Sequence, residues 1–469
     1  MNLTDLTLSE AADGVRDGHY SSIDLTQATL DRIETINPKL NAFIHVEAEY
    51  ALKAAAAVDA DRAAGRPLGP LAGVPLAHKD MYYRAGMLAT CGSKIRKDFR
   101  PSITATAMDR LDSAGAVYLG GLNMAEFAFG PTGHNEHHGD CRNPWDTSRI
   151  TGGSSSGSGS AVGGRLTYGA LGSDTGGSIR LPAAFCGVVG MKPTQTRVSR
   201  YGVMGLSFSL DNVGPLTRTV LDNAMMLAAI AGHDPADPTS AAIAVDDYVA
   251  AAKAPSAKGV RIGVARGYYE EGADAVALSA RDSALAAMTA AGAELVEVDI
   301  GSMAEINALS AVTMGSEAAT IHAHWLREQR EDYGAQMRAR AEPGFQYSGV
   351  DYLSALHLRP RLVSEFCDRV FSACDILLAP TINVATPTLD ETDVGASQGF
   401  EAVIAKLSAC TRPLNYLTLP GLALPTPDMV VGMPGSIQLI GRPFAEAALY
   451  KVAAAYEAET AFHKRSPQL

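Results

Sequence analysis

Aromatic residues make up only 6% of this 469-residue chain and charged residues only 19%, against 47% apolar. With so much apolar side chain and so little charge, a disordered or collagen-like polymer is excluded, and a large buried core is possible. Long apolar runs are also missing. Ala224 to Ala231 is among the longest, far short of the ~20 residues that span a bilayer, so no membrane partner is expected. Basic charge is in deficit: 39 Lys and Arg against 51 Asp and Glu give a formal net charge of -12. That is the wrong sign for a surface that neutralises phosphates, so nucleic acid is not expected as a direct partner. The six cysteines (Cys91, Cys141, Cys186, Cys367, Cys374, Cys410) show no C-x-x-C spacing, which fits reduced, packed thiols better than a disulfide framework or a zinc site. Asp5 and Glu10 stand where a secretory leader would carry its basic segment, so a cytoplasmic protein is expected.

What is present is an alternation of short apolar strands and helices. Ser21 and Asp24 have capping-box spacing ahead of a helix with Leu25, Ala28, Ile33 and Ile36 on one face, and Asn37-Pro38 reads as its stop. Leu71 to His78 reads as a buried strand that delivers Lys79 at its end. Thr106–Ala114 is a helix and Ala116–Leu119 a strand. The rhythm continues through Val220–Ala231 (helix), Val260–Ala265 (strand), Asp282–Ala291 (helix), Glu294–Val298 and Asp375–Ala379 (strands) and a closing helix over Ala445–Ala461. Such alternation predicts an α/β fold with one large mixed β-sheet covered on both faces by helices. Residues 302 to 360, helical and rich in charge, are the most divergent stretch and read as a lid or a peripheral insertion.

Chemistry concentrates between Thr151 and Pro182, where T-G-G-S-S-S-G-S-G-S is followed by an apolar segment and then G-S-D-T-G-G-S-I-R-L-P. A flexible linker is the bland reading, but Ala161, Val162 and Leu166 follow at near-helical spacing, so the first turn more naturally opens a packed helix. Gly153-Ser154-Ser155-Ser156-Gly157 matches G-x-S-x-G by letter, with Ser155 as nucleophile. The polar stretch before it is not the strand that a nucleophile elbow requires. In the second turn, glycines let backbone N–H groups converge beside a hydroxyl, the arrangement of an oxyanion hole next to a nucleophile. Such a hydroxyl needs a base. The eleven histidines offer no clear one, and His134, His137 and His138 lack a second pair with metal-ligand spacing, so no metal is expected.

These two blocks together resemble the amidase signature family. The similarity extends to L-A-G-V-P-L-A-H-K-D, L-N-M-A-E-F-A-F-G, G-P-L-T-R-T-V-L-D-N-A, D-P-A-D-P-T-S, D-I-L-L-A-P-T and P-G-S-I-Q-L-I-G, thinning only around residues 300 to 365. The resemblance implies a single amidase domain over residues 1–469 and a Ser-Ser-Lys triad: Ser178 as nucleophile, Ser154 as bridging serine and Lys79 as base. The two serines stand 24 positions apart, a separation the family shares. It further implies a cis Gly153-Ser154 peptide and an oxyanion hole of the backbone N–H groups of Thr175, Gly176, Gly177 and Ser178. Ser155, Asp174 and Arg180 would support the site, and Ala128 would meet substrate with its backbone. Phe127, Phe129, Trp145 and the Tyr201–Phe208 segment are candidates for an apolar acyl pocket.

The function so implied is hydrolysis of a carboxylic amide C–N bond through an acyl-serine, with no cofactor, on a small-molecule amide or carbamate; homodimers are common among such enzymes. Carbamates, ureas and esters could be cleaved by the same chemistry. A silent binding protein is disfavoured because all three triad positions are filled. The glutaminase subunit of a tRNA-dependent amidotransferase is a further alternative. It carries R-Y-D-G-x-R-Y-G and R-R-I-M-L-G-T-Y-like segments where this chain reads P-G-F-Q-Y-S-G-V-D-Y-L-S-A-L, which argues against it.

Overall fold

The computed structural model describes residues 2–393 and 399–469. The alternation read from the sequence resolves into one 11-stranded mixed sheet. Its strands are β1 (Phe43–Val46), β2 (Pro75–Lys79), β3 (Val117–Leu122), β4 (Gly169–Asp174), β5 (Val189–Lys192), β6 (Asn212–Thr217), β7 (Arg261–Ala265), β8 (Glu294–Val298), β9 (Ile376–Pro380), β10 (Gly421–Val430) and β11 (Met433–Ile440). They lie in the order β1-β3-β2-β4-β6-β5-β10-β11-β9-β7-β8. Every residue of β2, β3, β4, β5 and β6 is buried, so helices cover both faces of the sheet's centre. Strands β2 and β4 run parallel with His78 opposite Leu171, which brings Lys79 and Ser173 to the same end of neighbouring strands.

Local signals explain most boundaries. The Ser21–Asp24 capping box opens helix Ser22–Leu40. The expected stop at Asn37-Pro38 falls three residues early: Pro38 is accommodated in the final turn, where few N–H groups remain to be lost. Asn41, left-handed at φ 51°, ends the helix. The strand expected over 71–78 is shorter and later, ending on Lys79 itself. Strands β6 and β10 carry Pro215 and Pro425, which hid their pattern, and the β10–β11 register shifts just beyond Pro425.

The stretch 302–360 is not peripheral. Helices Ala304–Glu328, Ala335–Ala341 and Gly349–Phe371 pack into the main core through Met314, Ala318, Met337 and Phe366. The buried carboxylate of Glu317 accepts hydrogen bonds from the Ser207 hydroxyl, the Ser209 N–H and hydroxyl, and the Tyr352 phenol (2.8 Å), fastening this unit to the loop at 206–210.

The Gly/Ser-rich turn opens helix Ser156–Gly163, all eight residues of which are buried. Small side chains are required there because the helix lies against backbone: a Cβ on Gly157 would stand 2.4 Å from the Ala42 carbonyl oxygen and 2.5 Å from the Asn123 nitrogen. Gly157→Ala should therefore cost about 1–3 kcal/mol by overpacking, read as a lower urea midpoint at unchanged m-value.

Candidate active site

Lys79 is 1% exposed and Ser154 is fully buried. The Lys79 Nζ lies 2.7 Å from Ser154 Oγ and 2.8 Å from Ser173 Oγ. Burial lowers the ammonium pKa to about 7, against the opposing pull of Asp211, Asp174 and Cys91. The Gly153–Ser154 peptide is cis. Ser155 faces the neighbouring strand: its Oγ accepts from the Ser173 N–H (3.2 Å) and donates to the Ser173 carbonyl (3.3 Å). The Ser155 N–H in turn donates to the Ser178 carbonyl at 3.3 Å, which ties the two glycine-rich turns together.

The second turn is organised by a buried ion pair. Asp174 and Arg180 are both fully buried, with Arg180 Nε 3.0 Å from Asp174 Oδ2. Desolvation would raise the Asp174 pKa, but the Arg180 charge outweighs it and holds the carboxyl at about 2. Arg180 also donates to the Thr411 carbonyl, Asn415 Oδ1 and Gln438 Oε1. The Asp174 carboxylate accepts the backbone N–H groups of Gly177 (2.7 Å), Ile179 (3.2 Å) and Arg180 (3.4 Å). This corrects one expectation: the Gly177 N–H is engaged by Asp174 and is not offered to an oxyanion. The N–H groups of Thr175, Gly176 and Ser178 make no bond to described residues and stay available. Gly177 is glycine for a different reason, since its φ is +131° and a Cβ would stand 2.2 Å from Thr411 Oγ1.

Ser178 lines a cavity of about 30 Å³ with Ala128, Phe129, Thr175, Gly176 and Met314. Arg340 and Arg412 line it too, and both recur with Phe129 and Met314 in an adjoining cavity of about 200 Å³. Ala128 and its neighbour Phe127 adopt left-handed φ angles of 64° and 46°. Such conformations cost about 1–3 kcal/mol each in non-glycine residues, so something must hold them. The Phe127 ring stacks on Trp325 (5.4 Å) and meets His322 edge-on (4.6 Å), so the divergent helical unit braces the loop beside Ser154. Phe127 and Trp145 do not line these cavities, against expectation: Phe127 is in that brace, and the Trp145 indole N–H donates to the Cys186 carbonyl. Tyr201 and Phe208 line a separate cavity that reaches Met81 and Ser173. His134 pairs with Asp140 and Thr392, and His137 with Glu126.

Sequence reasoning missed Ser173, Asp211, Met314, Arg340 and Arg412. Ser173 lay inside a block already singled out, yet only the pairing of β2 with β4 shows it meeting Lys79. The arginines and Met314 come from the divergent part of the chain and from a loop after it.

Residues 24–450 match the family described as Amidase. The chain is 40% identical to the glutaminase-type A component of glutamyl-tRNA(Gln) amidotransferase from Moorella thermoacetica, covering 100% of this chain and 99% of that one. Among solved structures, a protein of a vestigial complex bearing on the origins of an s-triazine catabolic enzyme superposes with TM-score 0.89 at 34% identity, over 97% of this chain and 98% of that one. The native peptide amidase of Stenotrophomonas maltophilia superposes with TM-score 0.86 at 31% identity, over 98% of each chain. The chain belongs to the amidase signature family and has its fold. It is an enzyme of amide C–N bond hydrolysis.

Removing one partner of the buried Asp174–Arg180 pair should be severe: Asp174→Ala is expected to cost about 3–5 kcal/mol in denaturant unfolding, because it strands a buried guanidinium. Lys79 behaves oppositely. Its folded pKa of about 7 lies below the ordinary value of 10.5, so the folded chain binds fewer protons and loses stability as pH falls through that window. At pH 8 the loss is about 3 kcal/mol, and Lys79→Met should raise the melting temperature at that pH. An unchanged or lower value would contradict a buried, depressed amine.

Proposed function

We propose that this chain cleaves a small-molecule carboxylic amide through an acyl-Ser178 intermediate, using Lys79, Ser154 and Ser178 as a proton-relaying set. The observation that carries the reading is the 2.7 Å contact between a buried amine of pKa about 7 and the Ser154 hydroxyl. The Lys79 lone pair accepts the Ser154 proton while Ser154 accepts that of Ser178, whose Oγ attacks the amide carbonyl carbon. Ser178 Oγ makes no hydrogen bond to another described residue, and its contact with Ser154 is taken to tighten when substrate fills the cavity. The backbone N–H groups of Thr175, Gly176 and Ser178 hold the developing oxyanion; each such donor is worth about 2.7–4 kcal/mol of barrier. The proton then returns through Ser154 to the leaving nitrogen, the C–N bond breaks, and water releases the acid from Ser178 by the same relay. Asp174 and Arg180 act on the backbone of the turn and carry no proton.

Two substrate readings divide on partner. One short stretch speaks against the glutaminase component of an amidotransferase, whereas 40% identity extends over the full length of a relative bearing that name. The comparisons therefore favour glutamine as the amide donor, with the chain serving as the glutaminase of a multi-chain complex. The arginines lining the cavities suit the carboxylate of such an amino-acid amide. A stand-alone amidase acting on other amides, or a carbamate or ester hydrolase, is the second reading, supported by the similarity to peptide amidase.

Ammonia release from glutamine, with and without candidate partner chains, set against a panel of peptide, aryl and aliphatic amides, decides between them. For either substrate, kcat/KM should rise with pH to a plateau, half-maximal near pH 7, as Lys79 loses its proton. Lys79→Met should abolish turnover by at least about a thousandfold. A fluorophosphonate should label Ser178 in the wild type and not in Ser178→Ala; no label on folded wild-type protein would remove the nucleophile assignment.

A further inference from the structure

A neutral amine has one lone pair and two N–H bonds, and Lys79 Nζ has two hydroxyl neighbours at nearly equal distance, Ser154 at 2.7 Å and Ser173 at 2.8 Å. Only one orientation is productive. The lone pair must face Ser154 to take its proton, so an amine N–H must point at Ser173, and Ser173 Oγ must accept. A serine hydroxyl can do either, because its proton rotates freely to suit its surroundings. If the Ser173 proton turned toward the amine, it would occupy the lone pair and disarm the base.

The other neighbour of Ser173 Oγ removes that freedom. It is the thioether sulfur of Met81, 3.3 Å away, a group that can accept a hydrogen bond and has nothing to donate. The Ser173 proton is thereby drawn to sulfur, its oxygen lone pair is left for the amine N–H, and the amine lone pair is turned to Ser154. The heavy atoms are fixed independently of this choice. Ser173 sits in β4 opposite Val213 of β6, with its N–H and carbonyl both bonded to Ser155 Oγ. Met81 follows Lys79 by two residues, and its N–H donates to the Lys79 carbonyl at 2.6 Å. Both side chains are buried, Met81 at 2% and Ser173 at 3% exposure. We propose that Met81 is a positioning residue which, by fixing Ser173 as an acceptor, aims the lone pair of Lys79 at Ser154. The inference rests on Lys79 being the base of the proposed function.

The rate of fluorophosphonate labelling of Ser178 reads this without knowledge of the natural substrate. Met81→Leu keeps the bulk and removes the acceptor; labelling should slow by at least about tenfold at pH 9, on the plateau. Its half-maximal pH should stay near the wild-type value, because Ser173 still accepts from the ammonium form, and the carboxylates of Asp211 and Asp174 and the thiol of Cys91 that act on Lys79 are unchanged. Ser173→Ala should slow labelling as much and also move the half-maximal pH lower, since the ammonium loses an acceptor. Ser173→Thr, which keeps the hydroxyl, should recover most of the rate. Because Met81 acts only through Ser173, the double variant should be no slower than Ser173→Ala alone. Additive losses, or wild-type labelling by folded Met81→Leu, would overturn the proposal. If Met81→Leu does not fold, wild-type labelling by Ser173→Ala overturns it equally. An unlabelled wild-type protein would instead sink the nucleophile itself.

Discussion

An amine that is uncharged near neutral pH, in a chain whose net charge is -12, is the condition on which the rest of this structure turns. Attraction to carboxylates would restore the proton, and two buried carboxylates do pull in that direction: Asp211 and Asp174 are the leading influences that raise the Lys79 pKa. Burial outweighs them because each carboxylate is engaged elsewhere. Asp174 is neutralised by Arg180, and Asp211 accepts from the Thr175 hydroxyl and from the N–H groups of Leu206 and Ser207. The sheet centre supplies the dry surroundings and the Gly/Ser turns supply hydroxyls in place of a counter-ion.

The second turn shows the same economy of charge. Asp174 draws three N–H groups inward to its carboxylate and leaves those of Thr175, Gly176 and Ser178 directed elsewhere. A single buried ion pair thus sorts the amides of one loop into those that build it and those open to a ligand. The Arg180 guanidinium, bonded also to Asn415, Thr411 and Gln438, carries that arrangement across to the β10–β11 hairpin and the segment before it.

Much of this was legible in the residues, for identifiable reasons. Strands buried on both faces read as apolar runs, so β2, β7 and β9 and the α/β class emerged from pattern alone, and Lys79, Ser154 and Ser178 stand in contiguous blocks whose spacing survives without gaps. What stayed hidden depends on contacts far apart in the chain. The Ser173–Lys79 contact spans 94 positions and needs the register of β2 against β4. The brace of Phe127 by His322 and Trp325 joins a signature block to the divergent helices, whose charge density suggested a lid because charge marks only their outer face. Proline in β6 and β10 erased the period-two signal where the sheet tolerates it, and the engagement of the Gly177 N–H by Asp174 cannot be inferred from a run of glycines.

The most direct measurement is a titration of the lysine side-chain nitrogens by NMR, with the Lys79 signal assigned by its loss in Lys79→Met. Two buried lysines, Lys79 and Lys192, have pKa values lowered to about 7, so two signals should titrate there and one should vanish in the variant. A Lys79 signal that holds its proton up to pH 10 would contradict the account, because a charged ammonium has no lone pair to offer Ser154.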